Sequence, residues 1–184
     1  MHRQPLLKLL DEYQRQYADE SVVTERIRSL VTASADCFER TCRPGHITGS
    51  AWVMNADRSR CLLVHHRKLG KWLQPGGHAD GDANVARVAM KEALEETGLR
   101  SLMFASPSPL DLDVHVIPER RDADGNLIED AHEHHDVRFL ILAADEEEPV
   151  VSDESHDVRW FTERELLEVT DEESVLRLWR KARG

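Results

Sequence analysis

Glu92, Glu95 and Glu96 stand close together in the stretch KEALEETGL, residues 91 to 99, and the chemistry they could share is cation binding. At about 100° per residue, Val85, Val88, Ala89, Glu92, Glu95 and Glu96 fall within an arc of roughly 120° on a helix. The acids therefore continue an apolar stripe. A solvated face would instead have placed them over Arg87 and Lys91. Three carboxylates on an inward face repel one another and are costly to desolvate unless a cation neutralises them. Hard divalent ions with oxygen ligands, Mg²⁺ or Mn²⁺, suit such a set. The competing reading is an exposed helix end on which Glu95 pairs with Lys91 in the i, i+4 relation.

The residues before this helix, QPGGHADGD, bring Gly76 and Gly77, where backbone can approach a ligand or offer a carbonyl to a metal. Asp80 and Asp82 follow near the expected helix N-terminus, where acids favour capping. There is no G-x-G-x-x-G and no G-K-[ST], which excludes the dinucleotide and Walker loops and leaves metal-assisted phosphate chemistry. Arg67, Lys68 and Lys71 stand beside the glycine loop as candidate phosphate contacts, as would any basic surface turn, and His78 either faces a diphosphate or caps the loop. Trp72 reads as core.

Ten histidines are many for this length, and several alternate. As a strand, HEHHDVRF places His132, His134, Asp136 and Arg138 on one face, and DLDVH places Asp111, Asp113 and His115 together. Two polar strand faces could line a ligand cleft, hold a zinc ion or simply meet solvent. No His-Glu-x-x-His helix is present. The segment DADGN is a hairpin turn, since Arg120 stands where an EF-hand needs its first ligand.

The elements that must position these residues read as follows. Helical spacing covers residues 5 to 16 and 20 to 33, with ADES as break and cap between them. Pro44-Gly45 ends that extension, strands at 47 to 54 and CLLVHHRK make a hairpin, and LGKWLQPGGHADGD reads as a loop. A helix from about 83 to 97 closes on Gly98, which suits the left-handed C′ position. Strands LDLDVHVIP, HEHHDVRFLILAA and DVRWF follow. Two helices then open on capping boxes, Thr162 with Glu165 and Thr170 with Glu173. This order, with its hairpins, predicts an α/β or α+β sandwich around a mixed sheet, with residues 1–44 a helical extension and 45–184 the main domain.

The chain has 184 residues, room for one ordinary domain and one site. No window approaches the run of about 20 apolar residues that a membrane span needs. The start lacks a secretory h-region, so a cytoplasmic address is expected. Cys37, Cys42 and Cys61 are too few for a disulfide framework or a four-ligand zinc site. A net charge of −11 opposes nucleic acid and anionic membrane as partners. An anionic ligand would need a local inversion of that field, which a divalent cation supplies.

The stretch GGHADGDANVARVAMKEALEETGL, Gly77 to Leu99 in its box portion, resembles the Nudix box at every spacing. Gly77, Glu92, Glu95, Glu96, Gly98 and Leu99 match. Ala83 replaces the first Glu of the box and Lys91 its Arg. The resemblance implies an α/β/α sandwich around a mixed β-sheet and metal-dependent hydrolysis of a diphosphate linkage in a nucleoside diphosphate derivative. It implies that Glu92, Glu95 and Glu96 hold the catalytic metal, Mg²⁺ or Mn²⁺, with the Gly76 carbonyl as a further ligand, and that one acid helps to deprotonate water. Gly77, His78, Arg67 and Lys68 are the expected substrate contacts. Similar sequences carry a His-x-His-x-Asp strand after one like HVIP, a resemblance that implies substrate or metal contact for His134 and Asp136. In the family the replaced Glu and Arg pair to hold the loop. With both changed, a looser loop is expected, in which Asp80 or Asp82 partners Lys91. Two other readings remain: a Nudix-fold module that binds a nucleotide without turnover, and an isopentenyl-diphosphate-type isomerase, which would need a cysteine before the box helix where KWLQPGGHADGD has none. Met90 and Leu94, opposite the acids, are expected to pack on the N-terminal helices or on a second copy in a homodimer.

Overall fold

The structure is a computed structural model that describes residues 2–144, 147–153 and 155–184. Two antiparallel helices come first, α1 (Gln4–Gln16) and α2 (Ser21–Ala33). The break between them is a 3₁₀ turn over Ala18–Glu20, with no side-chain cap, so ADES breaks the helix without capping the next one. The long strand β1 (Gly45–Asn55) forms the expected hairpin with β2 (Cys61–His66).

The stretch expected to be a loop carries two short strands, β3 (Lys71–Leu73) on β2 and β4 (Gly76–His78) on β1. Neither has an alternating pattern long enough to see, and tertiary pairing creates both. Helix α3 (Val85–Thr97) follows, capped by Asn84, whose side chain accepts from the Arg87 N–H, and closed by Gly98 at φ +68°. Strands β5 (Leu102–Phe104) and β6 (Asp111–Ile117) come next. A two-stranded ribbon, β7 (Arg120–Arg121) with β8 (Leu127–Glu129), forms where a plain hairpin loop was expected.

Strand β9 (His132–Ala143) runs parallel to β1 over its whole length, from Gly45↔Glu133 to Asn55↔Ala143. β5 and β6 pair with its other edge, and β10 (Ser155–Phe161) pairs with β2. The sheet is therefore mixed. Helix α4 (Glu163–Val169) starts with the expected Thr162–Glu165 capping box. The second expected box does not form. Helix α5 (Glu173–Arg183) begins two residues later than that box requires, with Glu172 as N-cap and the Thr170 hydroxyl accepting from the Glu172 N–H.

Alternation on β1 divides the core. Ile47, Ala51 and Val53 face a cluster that includes Val85, Val88 and Ala89 of α3 together with Leu6, Leu10 and Ile27 of the N-terminal helices. Trp52 and Met54 face Leu178 and Trp179 of α5 and Leu166 of α4 on the other side. Helices thus cover both faces of the sheet. Met90 is partly buried against the first cluster, while Leu94 stays 38% exposed. No helix among the described residues is long and apolar enough to cross a membrane.

Cys37, Cys42 and Cys61 are all buried free thiols. Burial raises the proton affinity of each, Cys37 to about 11. We therefore expect a thiol reagent at pH 8 to leave the native protein essentially unlabelled and to modify three thiols in denaturant. Rapid labelling of any cysteine in the native state would contradict this burial.

Candidate active site

One face of the sheet changes character part-way along. Ladder partners share a face, so His46 lies beside His134, Thr48 beside Asp136 and Ser50 beside Arg138. β6 extends these rows with His115, Asp113 and Asp111. Beyond Ser50 and Arg138 the same face becomes Trp52, Met54, Leu140 and Leu142, packed under α5. The helical cover ends where the residues turn polar, and a cleft of about 560 Å³ opens over the polar half.

The glutamates of α3 reach this cleft from the opposite layer, past the edge of β4. Glu92, Glu95 and Glu96 all line it, with Gly76, Gly77 and His78. The absence of side chains at Gly76 and Gly77 of β4 makes the approach possible. A Cβ on Gly77 would lie 2.6 Å from Glu92 Cδ, and one on Gly76 would lie 2.3 Å from Ser50 Oγ. The Gly76 N–H donates to Glu96 Oε1 at 3.3 Å. Glu92 is the most enclosed acid of the pair flanking Lys91, its side chain 17% exposed against 58% for Glu95.

Gly77→Ala should therefore push the Glu92 carboxylate aside. We expect about a 10²-fold loss of turnover from the displacement, against an overpacking cost of about 1–3 kcal/mol. Steady-state kinetics beside a thermal melt separate the two, and an unaltered kcat would show that the close packing is incidental.

The loop between β4 and α3 is held by arginines. Asp80, at φ +48°, receives a two-pronged bond from Arg40, with Nε at 2.7 Å. Asp82 is bridged by Arg87 Nε and Nη2 at 2.6 and 2.7 Å and accepts from the Asn84 N–H at 2.8 Å. Both guanidinium bonds hold these acids below the usual carboxylate range. Lys91 is consequently not their partner. It lies 3.1 Å from Glu95 and 3.6 Å from Glu92, which corrects the expected Lys91–Asp80 or Lys91–Asp82 pair. The physical reason is competition: the fork of an arginine matches a carboxylate better than an ammonium does.

The remaining predicted contacts divide. Lys68, His134 and Asp136 line the cleft. Asp136 is 2% exposed and accepts from Thr48 Oγ1, Ser50 Oγ and Arg138 Nε at 2.8–2.9 Å, so it ties the cleft floor together. Arg67 is not among the lining residues. Its Nη2 donates to the Ser155 carbonyl at 3.0 Å. Arg40 lines the cleft although it lies within residues 1–44, the segment expected to be an extension, where no local pattern could announce it.

Behind the floor lies a charge network that the sequence reading did not assemble. Asp111, fully buried, accepts from Arg138 Nη1 at 3.2 Å, Arg177 Nε at 2.9 Å and Lys181 Nζ at 2.8 Å. Asp113 adds bonds to His115, Arg138 and Arg177. Burial would raise its proton affinity, but the His115 bond and the two guanidinium groups outweigh burial and lower it.

A family profile for the NUDIX domain matches residues 45–179. Among solved structures, a NUDIX-family hydrolase from Clostridium perfringens aligns with a TM-score of 0.58 at 21% identity, over 74% of this chain and 95% of its own. The E. coli dihydroneopterin triphosphate pyrophosphohydrolase aligns at 0.53 and 16% identity, over 76% and 94%. A binary complex of C. elegans Ap4A hydrolase aligns at 0.53 and 15%, over 74% and 94%. At such identities these likenesses concern the fold. Comparison with curated protein sequences finds no significant match.

Proposed function

The chain belongs to the Nudix family across residues 45–179, and from that premise we propose that it hydrolyses a diphosphate linkage in a nucleoside diphosphate derivative with Mg²⁺ or Mn²⁺. The observation that carries this reading is the convergence of Glu92, Glu95 and Glu96 on the paired glycines of β4, Gly76 and Gly77, inside a cleft. Carboxylate oxygens from these three and the Gly76 carbonyl make a hard donor set, which fits such ions. A bound divalent ion would polarise the phosphoryl oxygens and lower the pKa of an attacking water.

The chain's own groups would do the rest. Lys68 and Arg40, on the cleft wall, draw in an anionic substrate against the negative field of the whole protein. Glu95, 58% exposed, can take a proton from water and pass it to solvent. The polar floor, cross-bonded through Asp136, holds its geometry without reorganising as charge moves.

A second reading, a binding module without turnover, draws on Lys91. Its ammonium lies against Glu92 and Glu95 and can neutralise them in place of a metal. One experiment separates the two: phosphate or nucleotide release from nucleoside triphosphates, nucleotide sugars, ADP-ribose and dinucleoside polyphosphates, with and without Mg²⁺ or Mn²⁺. Metal-dependent cleavage of any member is the expected result. Thermal shifts by these compounds with no cleavage would favour the binding module.

A further inference from the structure

We propose that His46, His78 and His134 form a second metal site, which takes one transition ion of the Zn²⁺ class and is separate from the carboxylates of α3. One ligand nitrogen from each ring lies within 4.8 Å of the other two. The ladders explain the meeting: His46 is the partner of His134 on β9, and His78 on β4 stands opposite Thr48, the next residue of β1 on the same face. The three ring centroids are all 5.0 Å apart.

Burial makes the cluster costly as it stands. His46 is 1% exposed, and neither of its ring nitrogens makes a hydrogen bond of good geometry, the Cys42 backbone pulling on the ring only weakly. Nε2 of His134 is likewise buried and unpaired. A buried polar atom without a partner is costly, and these orphans lie on neighbouring rings. A metal ion would take one nitrogen from each of the three rings, His46 and His134 among them. Burial, followed by charge from neighbouring groups, lowers the proton affinity of all three rings, which keeps them in the neutral, ligating form.

Ligand chemistry selects the ion. Three neutral imidazoles suit Zn²⁺, Co²⁺ or Ni²⁺, whereas Mg²⁺ prefers the oxygens of the glutamates. Bonds of about 2.0–2.1 Å in a tetrahedron set the nitrogens about 3.3 Å apart, so the rings close on the ion by small rotations. Outer contacts are in place: His132 stacks on His46 at 4.9 Å with its Nδ1 on the Asp130 carbonyl, and His115 lies 5.4 Å from His134 with its Nδ1 on Asp113. These fixed rings pack against His46 and His134 and limit how far they can turn. Three protein ligands leave a fourth position open. Because His78 and His134 line the cleft, that position faces it, and an oxygen anion such as a phosphate is the ligand it would accept.

Metal content reads this site without turnover, so its test stands apart from the hydrolase reading. Full-length protein is stripped with chelator, equilibrated with Zn²⁺, dialysed against metal-free buffer and analysed for zinc by mass spectrometry. We expect about one retained Zn²⁺ per chain, kept in the Glu92→Gln/Glu96→Gln variant and lost in His78→Gln and His134→Gln. Retention by none, or retention that follows the glutamates instead of the histidines, overturns the site. If a histidine variant fails to fold, the visible spectrum of the wild-type Co²⁺ form decides. Intense tetrahedral bands support a nitrogen site with one open position, and the weak bands of an octahedral oxygen site overturn it.

Discussion

Replacing Glu92 with glutamine is expected to lower diphosphate hydrolysis by about 10²–10⁴-fold, the range spanned by a lost charge-stabilising or proton-transferring group. The substitution keeps the volume beneath Gly77, where a methyl group would already collide with the carboxylate, and removes only the charge. Two effects of opposite sign then follow. Without metal, one fewer carboxylate among Glu92, Glu95 and Glu96 relieves like-charge repulsion, so the melting temperature should hold or rise slightly. With Mg²⁺ or Mn²⁺, the ligand-induced rise in melting temperature should shrink, because a ligand stabilises in proportion to its affinity for the folded state. Turnover within about twofold of wild type would remove Glu92 from the reaction.

Asp111→Ala is expected to destabilise the fold by about 3–5 kcal/mol, the cost of stripping a buried ion pair of one partner. Asp111 is fully buried and meets three cations, Arg138, Arg177 and Lys181. Two of those come from α5, so the acid also fastens the C-terminal helix to β6. Its loss leaves Arg138, 3% exposed, facing two other positive groups with Asp136 and Asp113 as the remaining counter-charges. At this chain length the cost converts to a fall of about 10 °C in melting temperature. Asp113→Ala should cost less, since that side chain is 17% exposed and water can replace it. Thermal and urea unfolding check both; a shift below about 2 °C for Asp111→Ala would show that the network relaxes around the gap.

Much of the site was legible because it is local. The helix of three glutamates, its closing glycine and the paired glycines before it lie within one short stretch, and helical spacing alone brings the acids to one side. The alternating faces of β6 and β9 were legible for the same reason, since period two needs no partner to be read. What escaped depends on the partner. β3 and β4 are three residues each and exist because β2 and β1 offer unpaired edges. Arg40 reaches Asp80 across 40 positions, and Lys181 reaches Asp111 across 70. The assignment of Lys91 to a loop aspartate failed because it compared neighbours in sequence, while the guanidinium that took Asp80 lay in a segment set aside as an extension.

The parallel ladder between β1 and β9 joins residues 88 positions apart, and this bears on the order in which the molecule can be assembled. Hairpin β1–β2 and the β4–α3 segment close over short chain distances, so the acidic helix can form beside a glycine edge while much of the chain is still loose. The floor cannot. His134, Asp136 and Arg138 arrive only when a long loop has paid its closure entropy, which makes such pairings slow. A nascent or partly refolded chain would therefore carry its acidic helix and still have no cleft, and competence would come with the last strands to dock.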